Sequence, residues 1–250
     1  MKFHLNFLFL TMSVLVFSQT KVIAHRGAFK AQNLPENSIA ALDEAAKIGC
    51  FASEFDVHLT NDGFLIVNHD DVIDGLVISE TNFDVIQNYK LSNGESIPTL
   101  EAYLIQGQKY PEMRLVLEVK KSQDESMTLE TARKSVELVR NLNLENQVDY
   151  ITFDFEAGKL IAELNPKANV AYLEGDKSPR EAKKAGFNGL DYHFSVYRKN
   201  PKWIKKAQKL GMTINAWTVN EEAEMRWFID QKADFITTNE PEILLKLLQQ

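Results

Sequence analysis

Two acidic residues near the start of the chain, Glu54 and Asp56, have the type and the spacing to do chemistry. In an extended segment alternate side chains share a face, so both carboxylates point to one side and Phe55 and Val57 to the other. Burial of two like charges is costly unless the pair shares a proton or binds a hard cation through its oxygens. The pair therefore predicts one of these two sites, although a solvated edge strand would also explain it.

A histidine follows the acidic pair in the next extended run. Asp62-Gly63 marks a tight turn, and the largely apolar residues from Phe64 onward lead to His69-Asp70. Because such a turn folds the second run back beside the first, we expect His69 to lie near the two carboxylates.

Four clusters of chemically capable residues lie at or near the ends of predicted strands. They are His25-Arg26-Gly27, Glu54-x-Asp56, His69-Asp70 and Glu118-x-Lys120. The carboxyl ends of the strands of a (β/α)8 barrel share one face, so the clusters would meet in one cup. A lone histidine is usually structural and a lone arginine or lysine is usually a solvated charge. Their joint placement is what favours a functional site.

The acidic residues of these clusters predict a metal site. Glu118 can join Glu54 and Asp56 as a third oxygen ligand. An all-carboxylate site suits Mg²⁺ or Ca²⁺ better than zinc, which usually takes nitrogen or sulfur.

The basic residues predict a phosphate beside that metal. His25 and His69 have the chemistry of a general acid and a general base. Arg26 offers planar bidentate donors to a phosphate, and Lys120 can donate to the same anionic substrate.

The elements that would position these residues alternate regularly along the chain. Short β-rich runs are predicted at 21–27, 51–57, 114–120, 148–153, 169–173, 189–192, 213–218 and 234–238. Helical patterns are predicted at 38–49, 99–108, 125–142, 157–164, 179–185, 201–210, 221–230 and 241–248. Several strand runs are almost continuously apolar, as in parallel sheets covered on both faces. We therefore predict the α/β class and a closed (β/α)8 TIM barrel, with a doubly wound open sheet as the alternative.

A long insertion is predicted after the second strand of this barrel. The stretch from Asp71 to Pro98 does not fit a simple βα loop, and it follows the strand end where barrels carry their active sites, so we expect it to cover the site. No linker rich in Pro, Gly or Ser divides the chain, which predicts that residues 19–250 form one domain.

The first residues have the order of a secretory signal peptide. Lys2 precedes an apolar run from Leu5 to Phe17 that is shorter than the roughly 20 residues of a spanning helix, and the small residue Ser18 follows. We predict that residues 1–18 are removed and that the protein is periplasmic or secreted, without stable membrane insertion; a retained anchor is the alternative. Loss of Lys2 changes the net charge from −7 to −8, which argues against nucleic acid as a partner.

Together these motifs resemble the glycerophosphodiester phosphodiesterase family. The similarity covers essentially the whole chain after the leader. It rests on His25-Arg26-Gly27, Pro35-Glu36-Asn37-Ser38, residues 54–63, His69-Asp70, Pro98-Thr99-Leu100, Leu117-Glu118-Val119-Lys120 and Trp217-Thr218-Val219-Asn220. The resemblance implies a metal-dependent barrel enzyme that hydrolyses a small-molecule glycerophosphodiester to glycerol 3-phosphate and an alcohol. It implies an acid/base pair of His25 and His69, phosphate ligands Arg26 and Lys120, and metal ligands Glu54, Asp56 and Glu118.

Two departures from the family pattern stand out. Asn239 occupies a position where the family usually shows an aspartate, which places in doubt any supporting contact made there. The residues after His69-Asp70 lack the arginine-threonine pair often found in relatives, so the preference for a head group is open.

Several further residues are weaker candidates. Trp217 ends the seventh predicted strand and should point into the mouth of the cup, either as a wall for the glycerol or a cationic head group or as a core aromatic. A structural role is favoured for His58. Asp191 and His193 are left outside the site, because a structural hydrogen bond explains them equally well.

Two other functions compete with the main prediction. A related barrel phospholipase would act on lipid or inositol phosphodiesters, but the acidic residues among Asp71 to Pro98 oppose contact with anionic lipid. A catalytically silent binding protein would have lost one or more of the catalytic residues, and none is missing.

Overall fold

The structure, a computed structural model, describes residues 20–249, so the predicted signal peptide lies outside the described residues. The strands in chain order are β1 Lys21–Ala24, β2 Ala52–Leu59, β3 Leu65–Val67, β4 Val72–Ile73, β5 Leu76–Val77, β6 Arg114–Val119, β7 Val148–Thr152, β8 Val170–Tyr172, β9 Gly189–His193, β10 Thr213–Trp217 and β11 Phe235–Thr238. The α-helices are α1 Ile39–Lys47, α2 Phe83–Ile86, α3 Leu100–Gly107, α4 Glu125–Asn141, α5 Phe155–Leu164, α6 Pro179–Lys184, α7 Phe194–Lys199, α8 Lys202–Lys209, α9 Glu222–Asp230 and α10 Pro241–Leu247.

Eight parallel strands close into a barrel. Their order around the barrel is β1, β11, β10, β9, β8, β7, β6 and β2, and β2 pairs with β1 again. This closure confirms the predicted (β/α)8 barrel. It also excludes a doubly wound open sheet, which would leave two unpaired edges.

The strands alternate as their sequences predict. Phe55 and Val57 of β2 face outward into the main hydrophobic core beneath the helices, while Glu54 and Asp56 face the barrel interior. Asp56 lies directly opposite Glu118 of the neighbouring strand β6. The solvated edge strand is therefore wrong for this acidic pair, since β2 lies inside a closed barrel and both carboxylates are buried.

Outside the insertion, two elements differ clearly from the sequence prediction. β1 ends at Ala24, before the predicted end at residue 27, because the backbone enters the left-handed region at Arg26 with φ 55° and Gly27 with φ 81°. Helix α7 was not predicted. Its one fully buried residue is Tyr197, and a single buried position leaves no apolar period to detect.

The segment between β2 and α3 is a small structured insertion. β3 folds back against β2 after the turn at Gly63, and β4 and β5 form a hairpin that is followed by a 3-10 helix at Ile78–Glu80. A separate apolar cluster holds the insertion together; its buried members are Ile66, Ile78, Ile86 and Ile97. The carboxylate of Glu95 accepts hydrogen bonds from the first amides of α1, at Ile39 and Ala40, and docks the insertion on the barrel.

None of the helices described between residues 20 and 249 combines the length and the apolar character that crossing a membrane requires.

Candidate active site

A cavity of about 240 Å³ opens at the carboxyl ends of the barrel strands, and we call it the cup. One half of its lining is charged and is formed by His25, Arg26, Glu54, His69, Glu118 and Lys120. The other half contains Ile151, Phe153, Leu173, Asp191, Trp217, Thr218 and Thr237. The structure thus brings together in one lining seven of the eight residues predicted for the site. The eighth, Asp56, is buried and ion-paired to Lys120.

The three predicted metal ligands form a tight acidic cluster. One carboxylate oxygen from each of Glu54, Asp56 and Glu118 lies within 4.8 Å of the other two, and all three side chains are buried. Within the described residues, Glu54 Oε1 has no hydrogen-bond partner. A buried, unpaired acceptor beside two further carboxylates fits a hard cation with oxygen ligands, so these residues could hold a metal ion.

The three carboxyl groups of this cluster have different pKa values. Burial, followed by the charge of Asp56, raises the pKa of Glu118 to about 8 and raises the pKa of Glu54 well above its usual range. Burial also acts against ionisation of Asp56, but the charge of Lys120 and further favourable contacts outweigh it and lower the pKa of Asp56. Two carboxyl groups therefore resist ionisation while the third carries the negative charge.

Lys120 acts as the internal counter-charge of the cluster. Its Nζ lies 3.2 Å from Asp56 Oδ1 and 3.1 Å from Glu118 Oε1. Burial disfavours the charged amine, but the charge of Glu118 and then that of Asp56 raise the pKa of Lys120 overall. Lys120 thus pairs with two of the predicted metal ligands, whereas the sequence predicts that it contacts the substrate.

Arg26 is likewise paired within the protein. Its Nη1 donates to both carboxylate oxygens of Glu36 at 2.9 Å, and its Nε lies 3.6 Å from Asp56 Oδ2. Its backbone N–H donates to Glu54 Oε2 at 2.8 Å. This last contact depends on the left-handed backbone of Arg26, a strained conformation for a residue other than glycine.

Gly27 allows this turn to pack against the barrel. A Cβ atom at this position would lie 2.7 Å from Ala41 of α1, and the φ of Gly27 is positive. Only glycine combines that conformation with so close an approach. The turn therefore aims His25 and Arg26 into the cup.

The two histidines are held differently. His25 Nδ1 lies 2.7 Å from Asn239 Oδ1, and because an amide oxygen only accepts, the ring proton lies on Nδ1 and leaves Nε2 free. His25 Nε2 is 4.0 Å from Glu54 Oε2. Burial, followed by the charge of Arg26, lowers the pKa of His25 to about 4. His69 Nδ1 lies 2.7 Å from the carboxylate of Asp70, and the His69 side chain is 33% exposed.

Three asparagines support the site, and sequence reasoning assigned a role to none of them. Asn37 Nδ2 donates to Asp56 Oδ2 at 2.8 Å, and Asn37 Oδ1 accepts from the backbone N–H of Asp56. Asn220 Oδ1 accepts from the backbone N–H of Asn239 at 2.9 Å and so fixes the residue that contacts His25. The signal was present, because Asn37 and Asn220 lie in segments that resemble the family.

Trp217 forms part of the cup wall. Its indole N–H donates to the backbone oxygen of Asp191 at 2.9 Å, and its ring packs edge-on against Phe153 and His193 at centroid distances of 5.5 and 5.2 Å. Asp191 also lines the cup, although the sequence analysis leaves it outside the site. His58 contacts the site from behind, since its Nε2 lies 3.2 Å from the backbone oxygen of His69.

Comparison with known proteins places this cup in a family context. The model of the glycerophosphoryl diester phosphodiesterase family matches residues 25–243. A glycerophosphodiester phosphodiesterase of known structure from Parabacteroides distasonis is 44% identical with a TM-score of 0.91, over 93% of this chain and 98% of that chain. The glycerophosphodiester phosphodiesterase of Caldanaerobacter subterraneus subsp. tengcongensis is 27% identical over 93% of this chain and 99% of its own length.

A more distant relative shares the fold. A phosphodiesterase from Oleispira antarctica, solved in complex with its product sn-glycerol-3-phosphate, is 23% identical with a TM-score of 0.80. The alignment covers 93% of this chain and 98% of that chain.

Proposed function

Because the chain belongs to the glycerophosphoryl diester phosphodiesterase family, a family of phosphoric diester hydrolases, we propose that it hydrolyses glycerophosphodiesters to glycerol 3-phosphate and an alcohol with a divalent cation and two histidines. One observation carries the proposal. Three buried carboxylates, two histidines and two cationic side chains meet in one cup of about 240 Å³. The related structure that holds sn-glycerol-3-phosphate supports a small glycerol-containing substrate.

In this proposal Glu54, Asp56 and Glu118 hold Mg²⁺ or Ca²⁺. When bound, such an ion supplies positive charge that offsets the phosphodiester and polarises a phosphoryl oxygen. Lys120 then no longer has to balance Asp56 and Glu118, and its amine becomes available to the phosphate.

The histidines divide the proton transfers between them. His25 is suited to accept a proton, because its ring stays neutral and Asn239 holds the Nδ1 proton so that Nε2 is the free acceptor. Nε2 would take the proton of the attacking water. His69 is suited to protonate the leaving alcohol oxygen, because the carboxylate of Asp70 holds Nδ1 in place and leaves Nε2 for proton transfer.

A product assay tests this function directly. Purified protein is incubated with glycerophosphocholine, glycerophosphoethanolamine and glycerophosphoinositol, with Mg²⁺ or Ca²⁺ and with an excess of chelator. We expect release of glycerol 3-phosphate and the free alcohol that stops after chelation. Full turnover after exhaustive chelation would refute the proposed metal dependence. Release of a phosphorylated head group would show that the cleaved bond is not the one that we propose.

We expect Trp217→Ala to raise KM several-fold with a small change in melting temperature, because the indole is partly exposed at the cup wall. An aromatic ring stacked on a cationic head group can contribute about 0.5–2 kcal/mol to the free energy of binding. Trp217→Phe should recover most of the loss. Steady-state kinetics and thermal melts of the three proteins measure this. A variant that melts far below wild type and still has a normal KM would show that Trp217 is a core residue.

The Asn239–His25 contact makes a prediction about pH. In Asn239→Asp the new carboxylate faces Nδ1–H and favours the charged imidazolium, so the pKa of His25 rises. His25 must be neutral to accept a proton, so the acid limb of the kcat/KM profile should move to higher pH. Asn239→Ala should instead lower the rate at every pH, because the ring loses its orientation. An unchanged acid limb in Asn239→Asp would show that this limb does not report the ionisation of His25.

Export of the chain is a further part of the proposal. Lys2, the apolar run at 5–17 and the small residue Ser18 support cleavage near residue 18 and a periplasmic or secreted enzyme. Amino-terminal sequencing of the protein from the native cells tests this. A mature protein that begins at Met1 would refute it.

A further inference from the structure

The half of the cup opposite the metal ligands is mainly apolar. Ile151, Phe153, Leu173 and Trp217 form its walls, and Asp191 is the one ionisable side chain among the residues that line this half. A phosphate held near Lys120 would leave this space for the organic part of the substrate. Asp191 therefore needs a chemical explanation.

The side chain of Asp191 is hydrogen-bonded to Asn215, and this contact leaves its Oδ1 available. It lies on β9, is 2% exposed, and within residues 20–249 its Oδ1 has no hydrogen-bond partner. The adjacent Asn215 donates its Nδ2 to Thr237 Oγ1 at 2.8 Å, and its own Oδ1 is also without a partner in the described chain. A buried acceptor left without a donor is costly, so native proteins normally supply one from the chain, a ligand or water.

The charge of Asp191 restricts what that donor can be. Burial raises the pKa of Asp191 to about 7 against the opposing effect of the hydrogen bond with Asn215, and Asp191 lines the same cup as Glu118. A carboxylate here would repel the phosphate. It would accept hydrogen bonds from neutral hydroxyl groups, which a glycerol moiety carries and an alkyl chain lacks.

We propose that Asp191 accepts hydrogen bonds from the glycerol hydroxyls of the substrate and thereby makes the enzyme selective for glycerol over alkyl phosphodiesters. This inference rests on the proposed function, because it takes the phosphate to lie in the charged half of the cup. Buried water is the competing donor. A second cavity of about 90 Å³ inside the barrel is also lined by Asp191 and Asn215 and has room for it.

The test compares two substrates that differ only in their hydroxyl groups. Glycerophosphocholine and n-propyl phosphocholine share the phosphodiester and the head group. In Asp191→Ala we expect kcat/KM for glycerophosphocholine to fall about 10- to 100-fold, the usual worth of a hydrogen bond to a charged group, and kcat/KM for n-propyl phosphocholine to stay within a factor of about two. Asp191→Asn keeps one acceptor oxygen and should restore part of the preference.

A matched control uses the same chemical change outside the cup. Asp234 is a partly buried acid whose Oδ2 accepts from the backbone N–H of Ile214 at 2.8 Å, and it does not line the cup. Asp234→Asn should leave the ratio of the two kcat/KM values at the wild-type level. Equal losses on both substrates in Asp191→Ala, or no loss on either, would overturn the proposal and assign the carboxylate to buried water.

Calorimetry separates this inference from the proposed function. Wild type and Asp191→Ala are titrated with sn-glycerol 3-phosphate and with n-propyl phosphate in the presence of Mg²⁺. A preference for glycerol 3-phosphate that disappears in Asp191→Ala supports the role of Asp191 even if wild type cleaves none of the tested diesters, a result that would refute the proposed function alone. Equal affinity of wild type for both phosphates would refute the role of Asp191.

Discussion

Replacement of either His25 or His69 by alanine is expected to lower kcat by roughly 10²- to 10⁴-fold, the range that a positioned acid or base contributes. Both rings line the cup, and each has one nitrogen fixed by a neighbouring side chain, which leaves the other nitrogen for proton transfer. Neither ring is part of a hydrophobic core cluster, so thermal stability should change little. Turnover of glycerophosphocholine and thermal melts of the purified variants measure both effects.

The double variant tests whether the histidines act together. If one ring accepts a proton and the other donates one within the same step, the double variant should be little slower than the slower single variant. A loss equal to the full product of the single losses would indicate independent roles. His193→Ala is a suitable control, because His193 lies beside Trp217 but does not line the cup; its effect on kcat should be far smaller.

The second large effect is expected in Glu118→Gln. The amide keeps the shape of the side chain but removes one of the three proposed anionic ligands, so affinity for Mg²⁺ or Ca²⁺ should fall by at least about 10- to 100-fold, the loss seen for residues that only support a ligand. Calorimetric titration of the chelator-treated protein measures this. Unchanged metal affinity would exclude Glu118 as a ligand.

The same variant should change how the metal-free protein responds to pH. The pKa of Glu118 is raised to about 8 in the folded chain, above the ordinary value of 4.5, so folding favours the protonated acid. Its contribution to stability is present at low pH and is lost as pH rises from about 4.5 to 8. The lowered pKa of His25 has the opposite effect: its contribution is present above 6.5 and is lost as pH falls towards 4.

The difference between Glu118→Gln and wild type isolates the Glu118 contribution, because His25 is common to both proteins. We expect this difference in free energy of unfolding to shift in favour of the variant as pH rises from 5 to 8 in chelator. Denaturant titrations across this interval measure it. A difference that does not vary with pH would show that Glu118 is ionised throughout.

The barrel and the charged half of the cup could be predicted because their signals are local. Each barrel strand is a short apolar run, and the alternation of Glu54 and Asp56 with Phe55 and Val57 already separates an inner from an outer face. Once the strands are parallel and the barrel is closed, residues at their carboxyl ends must converge. No long-range information is needed for that step.

The partners of these residues could not be predicted in the same way. His25 and Asn239 are 214 positions apart, and their contact depends on β1 lying beside β11 in a particular register. Asp191 resembles any buried acid in a strand until the lining of the cup is known. The pairing of Arg26 with Glu36 depends on the left-handed backbone at Arg26. Sequence patterns predict a turn there, but not this backbone conformation.

The position of Lys120 bears on the order of barrel folding and cation binding. An acidic cluster that depended on its ion for neutrality would leave the strands mutually repelled until the ion arrived. Here the amine of Lys120, one residue beyond the strand of Glu118, lies between that residue and Asp56, so the chain supplies a counter-charge of its own. In the proposed function, assembly and activation by the cation would be separate steps, and Lys120, freed by the second step, would be the side chain that reaches the substrate.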